Sequence, residues 1–302
     1  MKRRLHLFTL ILTVFLCILF GCENRQSHTD ETSSQEKEAK KPDIKPFDGN
    51  YETFAVKGND SALQIFKNRF DVVQQHHVLA LNRIDFDNFN NVDTLIIPDT
   101  VLQDFNSYTP FPIQVKELAE VEKIVFFSYP IQAFAVYENG GLARWGPTSM
   151  GSKEHPTKTG LSFANWKAEE HVSTADDEWL LKWNFNIRNK EGIGWHQYAM
   201  PGYPASHSCL RLLENDAKWL YDWADQWIVE VDQHILAEGT PVMVFGTYDF
   251  DAERPWLKLT GNPNANKISE TDLLNEVKPH LEEILEAQQN RSSIETHKTD
   301  SL

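Results

Sequence analysis

The chain has 302 residues and a formal net charge of −15, with 44 acidic against 29 basic side chains. No clustered basic stripe is present, which argues against nucleic acid as a partner, because binding to phosphate backbones needs grouped Lys and Arg. The length allows a substantial core in more than one lobe, and the acidity suits the surface of an exported protein.

Met1-Lys2-Arg3-Arg4 precedes an apolar run from Leu5 to Phe20, a basic start followed by a hydrophobic stretch too short to span a bilayer comfortably. The run ends in Leu19-Phe20-Gly21-Cys22, which resembles a bacterial lipobox. The resemblance implies that 1–21 is a lipoprotein signal peptide cut before Cys22, whose sulfur and amine then carry acyl chains. Cys17 leaves with the leader, and the mature chain is tethered to a membrane rather than spanning it. Glu23, rather than Asp, follows the lipidated position, which favours sorting to the outer membrane and a periplasmic domain. An ordinary signal peptide with a chance cysteine is the alternative.

Residues 22–46 are polar and charged, too poor in apolar side chains to order themselves, and read as a disordered stalk. A small α+β lobe is expected at 47–113. Within it, Val56-Lys57-Gly58, Leu63, Phe66 and Phe70, then Leu81-Asn82, then Val92 to Pro98 resemble a glycan-binding LysM module. The same spacing of Leu63, Phe66 and Phe70 also fits an ordinary core helix.

Lys123 to Tyr129 and Gln132 to Glu138 are β-branched and aromatic runs, and Glu138-Asn139-Gly140-Gly141 is a turn signal leading into Leu142 to Trp145. All nine tryptophans lie between Trp145 and Trp256, so the large rings belong to the second half. Asn215 is a candidate cap for a helix with Trp219, Trp223 and Trp227 on one face, read as core rather than as ligand stackers. Ile228 to Val231 and Pro241 to Tyr248 read as strands. In 251–288 a helix is expected from Thr271, with Pro279 as a kink and Leu274, Val277, Leu281, Ile284 and Leu285 on one stripe. Residues 289–302 are polar and expected to be a disordered tail.

With the leader gone and Cys22 lipidated, Cys209 is the one remaining thiol, so no internal disulfide is available. It sits in Ala205-Ser206-His207-Ser208-Cys209-Leu210-Arg211-Leu212, thirteen residues after His196. A thiol attacks as thiolate, and an ordinary cysteine titrates near about 8.5, so a nearby imidazole or cation is what would activate it. An extended 206–210 would place His207, Cys209 and Arg211 on one face, and either histidine would then reach the sulfur.

His196, the Gly202-Tyr203-Pro204 turn, Ser206-His207-Ser208-Cys209 and Arg211-Leu212 resemble the signature of the L,D-transpeptidase, or YkuD, catalytic domain. Pro156-Thr157-Lys158-Thr159-Gly160 and Gly239-Thr240-Pro241-Val242 match two further elements of that family, so the likeness runs from about Ile124 to Phe245. The resemblance implies a mainly β, sandwich or barrel-like domain with peripheral helices, placed here at 114–250, and acyl transfer on peptidoglycan stem peptides without a cofactor. By the same resemblance Cys209 is the nucleophile, His196 the general base oriented by a backbone carbonyl, and His207 a supporting residue. Ser206, Ser208 and Arg211 fall in the substrate and oxyanion region.

Two departures stand out. Ser208 replaces the family's glycine, and a positive φ there would strain a serine. The loop from His196 to Cys209 is shorter than usual, and Gln197 stands where a small residue is common. Other readings of the same residues are a zinc-dependent wall hydrolase using His196, His207 and Cys209, a non-catalytic peptidoglycan-binding lipoprotein, and Cys209 as a plain core residue. Arg144, Trp145, Tyr198 and Tyr203 are candidates for the groove or, equally, for packing.

Overall fold

The computed structural model describes residues 42–173, 178–231 and 234–300. The segments expected to be a signal peptide, the lipidated Cys22 and most of a stalk lie outside the described residues. Within them, no helix is long and apolar enough to cross a membrane.

The chain first builds β1 (Tyr51–Ala55), α1 (Ala62–Arg69), α2 (Val72–Leu81) and β2 (Thr94–Pro98), with β1 and β2 paired antiparallel. Asp71 starts α2 with a capping box, accepting from the Gln74 amide while the Gln74 side chain takes the Asp71 N–H. Asn82 ends it and stitches the helix to β2: its Nδ2 donates to the Val78 and Ile96 carbonyls and its Oδ1 accepts from the Ile96 N–H. Phe66, Val78, Leu79, Phe89, Leu95 and Ile97 form the core of this lobe.

Two sheets follow. The first combines β3 (Ile124–Ser128), β4 (Ala133–Glu138), β5 (Gly141–Pro147), β6 (Gly160–Phe163) and a late strand, Pro241–Phe245, in the order β5-β4-β3-late strand-β6. The second combines β7 (Lys167–Val172), β8 (Leu180–Arg188), β9 (Ile193–Gln197) and β10 (Leu210–Leu212), with β10 parallel to β9. Strands β11 (Ile228–Val229) and β12 (Ile235–Ala237) pair outside both, which makes the late strand β13, parallel to β3.

Alternation along β3 explains the architecture. Val125 and Phe127 face the second sheet and meet Phe185, Trp195 and Leu210, whereas Ile124 and Phe126 face away into a core shared with Leu81, Trp256 and Leu273. A sheet covered on both sides needs apolar residues at every position, hence the unbroken runs in β3, β4 and β13. The mainly β sandwich with peripheral helices, preceded by a small α+β lobe, is therefore the observed fold.

Several local expectations need correction. Helix α3 (Glu214–Trp223) has Leu213 at its cap position with no side-chain bond, and Asn215 lies inside the first turn. Glu214 and Asp216 oppose the positive end of the helix there instead. Trp219 and Trp223 stack at 5.5 Å, but the chain turns extended at Ala224, so Trp227 is not on the helix. Strand β13 stops at Phe245 because Gly246 takes φ +75°, and a Cβ there would run into Pro130.

In the C-terminal extension, Ser269 rather than Thr271 caps α4 (Glu270–Val277), in a capping box with Asp272. Pro279 lies in a 3₁₀ turn that joins α4 to α5 (Leu281–Asp300). The expected disordered tail is helix as far as Asp300. Its anchors are polar, which hides them from a hydrophobic reading: Asn290 donates to the Leu236 carbonyl, and Arg291 donates to the Gln226 and Glu238 carbonyls while pairing with Glu295 at 3.0 Å.

Candidate active site

Strands β9 and β10 carry the site. Their parallel register sets Arg211 opposite His196 and Leu210 opposite Trp195, so the histidine and the residues just before β10 open into one cavity of about 390 Å³. His196, Ser206, His207, Cys209 and Arg211 all line it. The cavity also takes His171 from β7, Trp166 and Trp179 from the residues just before β7 and β8, and Tyr198 from just beyond β9.

His196 is buried, and its Nδ1 lies 3.0 Å from the Gln197 carbonyl oxygen. A carbonyl only accepts, so Nδ1 carries the proton and Nε2 keeps its lone pair for the cavity. Burial holds the imidazole down to about 4; the Gln197 bond opposes this shift and the nearby Arg211 charge adds to it. Cys209 is half-buried, and its thiol is pushed up from the ordinary range by burial, with the Gly194 backbone and Arg211 pulling the other way. At neutral pH the pair rests as neutral imidazole and neutral thiol. Cys209 is thus neither a core residue nor a standing thiolate.

Ser206 bridges Gly151, the chain bends over 207–209, and the strand begins only at Leu210. His207 and Cys209 therefore reach the cavity by the bend rather than by strand alternation. His207 is held by rings: it stacks on His155 at 4.4 Å and meets Trp179 at 4.9 Å. Ser206 spends its hydroxyl on the Cys209 carbonyl across the turn. Arg211 lies over the Tyr198 ring at 4.7 Å and donates weakly to the Ala199 carbonyl at 3.5 Å.

Ser208 has φ +79°, in the left-handed region. The strain anticipated for a serine at this position is real, and the surroundings hold it. The buried Thr157 hydroxyl donates to the Ser208 carbonyl at 2.9 Å and accepts from the Gly151 N–H at 2.8 Å. Tyr129 donates to the Gly151 carbonyl, and the Ser208 hydroxyl donates to the His155 carbonyl at 3.2 Å. Gly151 has no room for a side chain, since a Cβ would strike the His155 carbonyl and the Thr157 amide.

Of the four residues left open between groove and packing, Tyr198 alone lines the cavity. Arg144 pairs with the buried Asp216 at 2.6 Å, Trp145 is buried and stacks on Phe105, and Tyr203 is exposed beneath Arg254. The zinc set is not assembled: among the described residues no group of three or more His, Cys, Asp or Glu side chains is placed to hold a metal ion. Sequence reasoning missed His155, Trp179 and the bracing role of Thr157. The Thr157 role had a faint signal in the Pro156 to Gly160 turn, whereas His155 and Trp179 come to the site only through tertiary contact.

Residues 122–244 match the family model for YkuD, the L,D-transpeptidase catalytic domain. No curated protein matches the chain. Among solved structures, an L,D-transpeptidase (Yku) from Stackebrandtia nassauensis is 26% identical, the match covering 42% of this chain and 57% of that one with a TM-score of 0.34. An LD transpeptidase in complex with imipenem is 20% identical, with 41% and 59% covered and a TM-score of 0.33. An L,D-transpeptidase from Mycobacterium smegmatis is 21% identical, with 41% and 59% covered and a TM-score of 0.33. The chain thus spans less than two thirds of the length of each.

Proposed function

We propose, from the premise that residues 122–244 are a YkuD-type catalytic domain, that this chain is a peptidoglycan L,D-transpeptidase working through an acyl-enzyme on Cys209. The observation that carries the reading is the pairing, in one cavity, of a half-buried thiol with a histidine whose Nδ1 is fixed on a backbone carbonyl.

The sulfur of Cys209 attacks the carbonyl that joins the L-centre of the diamino acid to the terminal D-alanine of a stem tetrapeptide. As the C–S bond forms, the thiol proton passes to Nε2 of His196, and backbone N–H groups beside Cys209 receive the oxyanion. Collapse breaks the C–N bond, and His196 returns the proton to the departing D-alanine amine, leaving a thioester. A neighbouring stem amine, or water, then repeats the sequence in reverse and frees the sulfur. Arg211 has no carboxylate partner among the described residues, so its charge is available for a substrate carboxylate while it also favours thiolate.

The leader and Cys22 support a lipid-anchored periplasmic placement, in the outer membrane by Glu23, and the β1-α1-α2-β2 order supports a glycan-binding role for the N-terminal lobe. The strained Ser208 is the one observation favouring a second reading, a non-catalytic wall-binding protein.

Intact-mass measurement after incubation with imipenem distinguishes them. Catalysis predicts one covalent adduct, mapped to Cys209 and absent in Cys209→Ala. Retained binding to sacculi with no adduct sinks the enzyme in favour of the tether. Muropeptides from sacculi treated with the protein then show whether amine or water is the acceptor.

A further inference from the structure

We propose that the N-terminal lobe sets the geometry of the loop carrying Cys209, with Asp85 as its positioning residue. This rests on the reading of Cys209 as the nucleophile and extends it, because the residues concerned lie far outside the 122–244 domain.

Three lobe residues, 83–85, run antiparallel to 200–202 in the middle of the loop between His196 and Cys209. Ile84 bridges Pro201, the Asp85 N–H donates to the Met200 carbonyl at 3.1 Å, and the Gly202 N–H donates to the Arg83 carbonyl at 3.0 Å. The Asp85 carboxylate works in two directions. Its Oδ2 accepts from the Met200 N–H at 2.8 Å, while its Oδ1 caps the 3₁₀ turn Phe86–Asn91 by accepting from the Asn88 N–H at 3.0 Å and the Asn88 side chain at 2.8 Å. One side chain thus joins the fold of the lobe to the position of the loop.

The contact is close and buried. Ile84 and Met200 are fully buried, and Gly202 has φ +79° with Ile84 Cγ2 only 2.9 Å from where a Cβ would stand. Arg83 makes the lobe side rigid. Buried, with φ 57°, it donates to the Leu81 and Ile131 carbonyls and lies over Trp256 at 5.0 Å, gripping the end of α2, the β3–β4 turn and the C-terminal extension together. Its charge sits at the negative end of α2, which is where a helix favours a cation.

From this strap the loop leads both ways into the site. Upstream, Tyr198 and Ala199 contact the Arg211 guanidinium, and the Tyr198 N–H donates to the Leu212 carbonyl. Downstream, the Tyr203 carbonyl and Ala205 N–H are held by the Ser149 hydroxyl, and Ser206 pairs with Met150 and Ser152. Ser149, Met150 and Ser152 belong to the sandwich domain, so the lobe supplies the backbone and carboxylate hydrogen bonds that reach the loop from outside it, beside the Arg254 guanidinium over Tyr203. Without the strap, Arg211 and the turn before Cys209 lose their fixed relation to His196.

Asp85→Leu removes both acceptor oxygens, Asp85→Asn keeps one, and each is compared with the parent well below its melting temperature. Two rates are read: imipenem acylation, and iodoacetamide alkylation of Cys209 across pH. For Asp85→Leu, acylation at least about tenfold slower is expected, since a misplacement of about 1 Å can cost about 100-fold in rate. The alkylation midpoint is expected to fall towards that of an ordinary thiol as the loop loosens, and Asp85→Asn is expected to recover part of both effects. A folded Asp85→Leu with acylation within twofold of the parent overturns the proposal. Should the parent itself take no imipenem, the catalytic reading fails and the alkylation profile alone decides: a midpoint unmoved by either substitution overturns the strap. If Asp85→Leu does not fold, Asp85→Asn is judged by the same criteria.

Discussion

Replacing Ser208 tests whether the turn before Cys209 is strained by its side chain. At φ +79° a residue with a Cβ carries roughly 1–2 kcal/mol relative to the right-handed regions. Ser208→Gly removes that term, but the freer unfolded backbone takes back roughly 0.5–1 kcal/mol. Loss of the exposed 3.2 Å bond to the His155 carbonyl costs about 0.5 kcal/mol more. The balance runs from about 0.5 kcal/mol of lost stability to about 1 kcal/mol of added stability, the latter a rise of at most about 2–4 °C in Tm for a folded unit of this size. Ser208→Ala keeps the strain and loses the bond, so it is expected slightly below the parent. Ser208→Val, β-branched, is expected lowest, at least about 1 kcal/mol below the parent. Thermal unfolding is expected to place Gly no lower than Ala, Ser above Ala and Val last, and imipenem acylation is expected to survive in Gly and to fall in Val, whose side chain would distort the turn. A Ser208→Gly protein less stable than Ser208→Ala, or a Val variant as stable as the parent, refutes the argument.

Thr157→Val keeps the shape at position 157 but orphans the Gly151 N–H and the Ser208 carbonyl, at an expected cost of about 1–3 kcal/mol and with slower acylation; Thr157→Ser is expected to restore both in chemical denaturation and adduct formation. The resting pair gives two pH signatures. Iodoacetamide alkylation of Cys209 is expected to climb with pH to a midpoint above the ordinary thiol value, and a plateau already present at neutral pH would show a thiolate–imidazolium pair instead. His196 titrates at about 4 in the fold against about 6.5 unfolded, so the unfolded chain takes the proton first as pH falls. Its contribution is complete above about 6.5 and declines between there and about 4. Between pH 7 and pH 5 the parent is therefore expected to lose on the order of 1–2 kcal/mol more than His196→Gln in urea unfolding, and equal losses would refute the assigned shift.

How far the fold could be read in the sequence depended on which force shaped each element. The runs in β3, β4 and β13 were legible because burial on both faces of the sheet leaves no polar position. The Glu138 to Gly141 turn was legible because its left-handed residues, Asn139 and Gly140, are the types that adopt that conformation. Helix ends were misplaced where the deciding group was a neighbour in space or a choice between adjacent polar residues, as with Ser269 over Thr271. The continuation of α5 to Asp300 was illegible for a clearer reason. Its anchors are Asn290 and Arg291 reaching backbone carbonyls of the segment 226–238, and a polar helix held by polar bonds has the composition of a loose tail.

At the site, residue types were legible and their supports were not. His196 on a carbonyl and a left-handed Ser208 followed from the motif, but the groups bracing the turn and its loop, Thr157 and His155 at Ser208 and Asp85 at Met200, reach them from 51, 53 and 115 residues away in the chain. The supports also explain how a buried base with a low pKa would serve the proposed catalysis. Proton transfer from a resting thiol to a resting imidazole is unfavourable in this cavity, because burial disfavours both charged products. It becomes favourable once a carbonyl carbon stands in reach of the sulfur, since the negative charge then passes to an oxyanion facing backbone N–H groups instead of remaining on sulfur. A turn held rigid before substrate arrives is what places those donors. The same arrangement keeps the resting sulfur protonated, and thiols oxidise through their thiolate, so a lone cysteine proposed to work outside the cytoplasm is protected until the bond it cuts is in place.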